Sequence, residues 1–179
     1  MFKLITLSVL LVTLGLFSEM QPQALWIAAG LALSISGSLL VTLQKIGNRP
    51  SFAFTLLTFV CYSKSFWLQL NGDLSWWLPA LLFASAVIVF FLMLPRLDSV
   101  VFPVLMMGLV LVQLCWAATQ LYISEPSVSS NLACAAAYLF AMSALIDVSM
   151  NNQNGNGLRG LIVSGGNIAA HGLLVFSVL

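Results

Sequence analysis

Residues 78–94 read "LPALLFASAVIVFFLML". The stretch carries no charged side chain and only one hydroxyl, Ser85. Its polar and apolar residues do not alternate, so it is not a strand of a membrane β-barrel, where lipid-facing and lumen-facing residues take turns. Its length approaches the roughly 20 apolar residues that a helix needs to cross the hydrocarbon core. Backbone groups in hydrocarbon must be satisfied within the segment, so the run reads as a helix in a membrane.

The same reading extends in both directions. Of the 179 residues, 61% are hydrophobic and only 6% charged, against roughly 25% charged in a soluble domain. So few charges cannot cover a water-facing surface. Apolar runs recur at about 2–18, 24–44, 52–70, 76–95, 99–121, 129–149 and 158–179. Between them stand short breaks with turn chemistry: "SEMQPQ", "QKIGNRP", "NGDLS", "PRLDS", "SEPSVSS" and "NNQNGNG". The expected fold is all-α, a polytopic bundle of seven spans in a single transmembrane domain over 1–179.

The charges give an orientation. Lys3, Lys45, Arg49, Arg96 and Arg159 fall at the N-terminus and in every second loop, while Glu19, Asp73 and Glu125 fall in the others. The positive-inside rule puts the first set in the cytoplasm, with the N-terminus in and the C-terminus out. Asp98 is the loop acid on the basic side. Lys64, in "CYSKSFW", can snorkel to the outer headgroups. Trp26, Trp67, Trp76, Trp77 and Tyr122 stand near span ends, as interfacial aromatics do. Residues 1–18 also have the n-region and h-region of a signal peptide, but "FSEMQPQ" offers no small-x-small cleavage site. The retained helix is the expectation adopted.

A net charge of +1 gives no reason to expect nucleic-acid binding. Cys61, Cys115 and Cys134 lie in apolar runs and read as packing residues rather than a disulfide framework. One histidine and scattered cysteines make no zinc site, and no phosphate-binding loop is present. No metal and no cofactor is expected.

Polar residues at depth are then the informative ones. In "SISGSLLV" (34–41), Ser34 and Ser38 continue a stripe from Gly30 to Thr42 at intervals of four. Such a stripe lets a neighbouring helix approach closely; a serine nucleophile would need a base beside it. "SGGNIAAH" (164–171) sets Ser164, Asn167 and His171 on one face, either an interhelical hydrogen-bonding stripe or the lining of a cavity. In "LFAMSALIDVS" (139–149), Ser143 stands one turn before Asp147, a span-embedded carboxylate. Asp147 reads as a salt-bridged helix end or as a catalytic or binding acid.

The order of these segments resembles the YhhN family, the bacterial lysoplasmalogenase-like membrane proteins. "FKLITLSVLLV" is similar to the family's Phe-Lys-Pro-Leu-Thr helix, with Leu4 for the proline. "AGLALSISGSLL" resembles its glycine-aspartate helix, and "FAFTLLTFVCYSKSF" the helix with a histidine and, three residues on, a tyrosine. "LPALLFASAVIVFFLMLPRL" resembles the next span. "AAAYLFAMSALI" resembles the Leu-Phe-x-x-Ser-Asp helix, and "NIAAHGLLVFSVL" the closing helix. The family usually has eight spans, and the seven here correspond to the last seven.

The resemblance implies a bacterial inner-membrane protein, a lipid or lysolipid as partner, and hydrolysis of the vinyl-ether bond of lysoplasmalogens. That chemistry protonates the enol-ether carbon and adds water to the oxocarbenium ion, work suited to two carboxyl groups acting as acid and base. Carried over residue by residue, both expected acids are gone. Ser38 follows Gly37, and Ala144 follows Ser143, where the family has aspartates. Phe59 stands at the histidine, Tyr62 keeps the tyrosine, Asn167 replaces a tyrosine, and His171 holds a Gln/His position. The expected site is Asp147 and His171 as catalytic groups, with Ser34, Ser38, Tyr62, Ser143 and Asn167 binding ligand. The expected function is a lysolipid- or amphiphile-binding protein with weak or absent hydrolase activity. The alternatives are an active hydrolase using Asp147 and His171, and a small transporter or a structural subunit of a membrane complex.

Overall fold

The computed structural model describes residues 2–17, 21–43, 49–70, 74–96, 101–149 and 156–179. They form seven α-helices and no strand: α1 (Phe2–Phe17), α2 (Pro22–Leu43), α3 (Arg49–Trp67), α4 (Trp77–Met93), α5 (Val101–Ser124), α6 (Val128–Ser149) and α7 (Asn156–Phe176). A 3-10 turn, Leu94–Arg96, follows α4. Each apolar run matches one helix to within three residues at either end.

Proline explains where several of them begin. Pro22 opens α2, Pro50 is the second residue of α3, and Pro79 and Pro103 are the third residues of α4 and α5. A first-turn N–H has no intrahelical acceptor, so proline sacrifices nothing there. The start of α6 is capped instead: the Ser127 N–H donates to Ser130 Oγ at 2.9 Å and the Ser130 N–H to Ser127 Oγ at 3.1 Å. This is the reciprocal logic of a capping box, built from two serines.

Three helices are long and apolar enough to cross a membrane: Pro22–Val41, Val101–Ser124 and Val128–Ser149. Lys3–Phe17, Trp77–Met93 and Gly160–Phe176 are shorter apolar helices. The third helix is the most polar inside, burying Thr58, Tyr62, Ser63 and Ser65.

Six helices close a ring. α1 packs on α2, α2 on α3, α3 on α5, α5 on α6, α6 on α7, and α7 returns to α1. α4 stands outside and leans on α5. The core follows this plan: the main buried cluster takes residues from every helix except α4. Phe83, Ile88, Phe91 and Leu92 of α4 are all exposed. Large apolar side chains outside and buried hydroxyls inside are what a hydrocarbon solvent dictates.

The α2–α3 contact is the closest-fitting. Gly30 sits beneath the Tyr62 ring and Gly37 beneath the Phe54 Cβ, which a Cβ on Gly37 would meet at 2.9 Å. Thr58 Oγ1 donates across to the Gly30 carbonyl at 3.3 Å, and Ser65 Oγ to the Gln23 carbonyl at 2.9 Å. Rising numbers on α3 meet falling numbers on α2, so the pair is antiparallel. Of the α2 stripe, Gly30 makes this close packing contact, with Gly37 beside the stripe making another, while Ser34 and Ser38 face a cavity.

Candidate functional site

Within the ring, α1, α2, α3 and α7 enclose a cavity of about 170 Å³. Lys3 from α1, Ser34 and Ser38 from α2, Ser51, Thr55 and Thr58 from α3, and Asn167 and His171 from α7 reach its wall. Phe54, Phe59 and Gly37 complete the lining. At roughly 30 Å³ of liquid per molecule this is room for about six waters, or one small polar group.

Local hydrogen bonding decides what the wall offers. Ser38 Oγ donates to the Ser34 carbonyl at 2.9 Å and Thr55 Oγ1 to the Ser51 carbonyl at 3.0 Å. Thr58 Oγ1 also lies 2.9 Å from the Phe54 carbonyl. The Ser38 and Thr55 hydrogens are directed at their own helices, as Ser and Thr usually do at depth, and that of Thr58 is shared between the Phe54 and Gly30 carbonyls. Asn167 Nδ2 donates to the Val163 carbonyl at 2.9 Å.

His171 is 3% exposed, and its Nδ1 lies 2.7 Å from the Asn167 carbonyl oxygen. A carbonyl only accepts, so Nδ1 carries the hydrogen, and in the neutral ring Nε2 is then an acceptor. Nε2 is buried and has no partner among the described residues. The ring is held by aromatics: Phe140 meets it edge-on at 4.8 Å between centroids, and Tyr62 edge-on at 5.8 Å. Tyr62 also stacks on Phe140 at 6.0 Å, and its hydroxyl likewise lacks a partner among the described residues.

The structure therefore brings Ser34, Ser38, Asn167 and His171 to one cavity and sets Tyr62 against His171. It does not bring Ser143 or Asp147 there. Ser143 is buried against Gly166, where an added Cβ would meet its Oγ at 2.5 Å. Asp147 lies on a different space, a groove of about 470 Å³ between α4, α5 and α6, which Phe52 of α3 also lines. Leu82, Val89, Met107 and Leu145 typify its apolar lining. Ala144 lines that groove too, whereas Ser38 lines the polar cavity. The two positions where the resemblance expects acids thus open on separate spaces.

Sequence reading missed Lys3, Ser51, Thr55 and Thr58. In the sequence Lys3 stands out for its orienting charge and its place in the Phe-Lys match, and its position on the wall depends on α1 closing against α7. The helical spacing of Ser51, Thr55 and Thr58, at intervals of four and three, was the available signal for α3. Among the described residues no three His, Cys, Asp or Glu side chains gather as metal ligands would.

No curated protein and no solved structure matches the chain. The model of the YhhN family matches residues 1–178, and with essentially the whole chain covered, this protein belongs to the YhhN family.

Proposed function

We propose that this chain is a diverged YhhN-type membrane protein that holds the polar head of a lysolipid or similar single-chain amphiphile in the α1–α2–α3–α7 cavity, with weak or absent hydrolase activity. The observation that carries this is the cavity wall itself: hydroxyls, an amide, an imidazole and an ammonium gathered inside a bundle with an apolar exterior. Vinyl-ether hydrolysis needs a proton donor beside the enol-ether carbon. No carboxylate from the described residues lines this cavity, and Asp147 lines the other space.

In this reading the chain is one transmembrane domain whose seven helices all cross a bacterial inner membrane, N-terminus in the cytoplasm and C-terminus outside. The alternating loop charges support that orientation. Nucleic acid has no part in it.

The test is aldehyde release from lysoplasmalogen by the purified protein. The expected result is no turnover above a protein-free control, together with saturable binding of the lipid. Robust turnover abolished by Asp147→Asn would overturn the inactive reading in favour of a hydrolase built on Asp147 and His171.

A further inference from the structure

The polar cavity has a charge that its own wall does not balance. Lys3 brings an ammonium to it, and no Asp or Glu among the described residues lines it. Lys3 is half-buried, and a partly desolvated cation gains from an accompanying anion. The wall makes a second unmet demand beside the first. His171 Nε2, buried and unpartnered, presents a lone pair and needs a hydrogen-bond donor. The hydroxyls of Ser38, Thr55 and Thr58 direct their hydrogens to backbone carbonyls, so they do not supply it.

From these two demands we infer that the cavity selects a compact anionic head with a hydroxyl beside it: a phosphate that faces Lys3 and an O–H that donates to His171 Nε2. This deepens the amphiphile reading above and rests on it. A lysophospholipid carries both groups close together, a phosphate and the free glycerol hydroxyl. What separates one such lipid from another is the rest of the head. A choline ammonium would meet Lys3 as a like charge, and no described carboxylate on the wall would receive it. A phosphoglycerol head keeps the net negative charge and adds hydroxyls. The chemistry favours lysophosphatidylglycerol over lysophosphatidylcholine, although both carry the same chain and the same glycerol hydroxyl.

The experiment is calorimetric titration of the purified full-length protein in dodecyl maltoside with these two lipids and, separately, with inorganic phosphate. Wild type, Lys3→Met and Lys3→Arg are compared, with circular dichroism and gel filtration to check that each variant is folded. The expected result is that lysophosphatidylglycerol binds at least about tenfold more tightly than lysophosphatidylcholine, the scale of one charge-assisted contact. Lys3→Met should abolish that preference and Lys3→Arg should keep it. Equal binding of the two lipids by wild type would overturn head selection and leave the amphiphile reading standing. Binding of inorganic phosphate alone, lost in Lys3→Met, would support the anion site and overturn the amphiphile reading. Absence of binding by all three would overturn both. If Lys3→Met does not fold, the wild-type ratio and the Lys3→Arg ratio decide the matter.

Discussion

A Cβ added to Gly30 would stand 2.8 Å from Cδ1 of Tyr62 and nearer still to Cε1. Tyr62 is fully buried, and its ring lies between that glycine, Phe140 and His171. The ring therefore has nowhere to retreat, and α2 and α3 would have to part. Overpacking of this kind costs about 1–3 kcal/mol. Gly30→Ala should lower the unfolding midpoint in detergent, and Gly30→Ala combined with Tyr62→Leu should recover part of the loss.

Two glycines of α7 should respond oppositely to the same substitution. Nothing lies within 4 Å of a Cβ built on Gly172, whereas one on Gly166 meets Ser143 Oγ at 2.5 Å. Gly172→Ala should be neutral or stabilising by up to about 1 kcal/mol, the helix-propensity gain. Gly166→Ala should be destabilising until Ser143→Ala removes the obstruction. A double-mutant cycle on thermal midpoints measures that coupling.

Thr58 bridges two helices with one hydroxyl, donating toward the carbonyls of Phe54 and Gly30. Interhelical hydrogen bonds in membranes average only about 0.6 kcal/mol. Thr58→Val keeps the shape and should cost no more than about 1 kcal/mol. A much larger drop in the thermal midpoint would mean that the hydroxyl also serves a buried polar network.

Asp147 and His171 should separate in ligand binding. They line different spaces, so Asp147→Asn should leave the affinity for a single-chain lysolipid within about twofold. His171→Phe removes the acceptor but keeps the ring, and should weaken binding by about tenfold, the value of one buried hydrogen bond left unmade. Equilibrium binding of a fluorescent lysolipid distinguishes the two variants.

Ser38→Asp places a carboxylate on the wall that Lys3 also reaches. It should weaken binding of an anionic lysolipid by about tenfold through charge compensation. Turnover of lysoplasmalogen should remain absent, since Ala144 and Asp147 line the other groove. Aldehyde release and lipid titration on the one variant check both statements.

The helices were legible because hydrocarbon leaves few choices. Runs such as 78–94 can only be helices there. The ring was not legible. α4 is apolar all round, with exposed residues such as Phe83, Ile88 and Phe91, so no polar face revealed which side meets protein. Ser34, Ser38, Asn167 and His171 could be picked out singly because polar residues at depth are rare. Their gathering was expected only from the family resemblance, since it depends on α1 and α7 meeting across the length of the chain. Asp147 shows the converse: an acid near the end of a helix gives no sign in the sequence of which of two spaces it will border.

The ring closes through its first and last members, α1 and α7. Lys3 therefore waits on a partner some 160 residues later, since His171 arrives only with α7. Loop closure over such a separation comes late in assembly. A ribosome-tethered chain halted after α6 would have made the α2–α3 pair and the apolar groove but not the polar cavity. Ligand capture then begins only once α7 has joined α1, and ligand present during insertion would stabilise that closure rather than the earlier α2–α3 pairing.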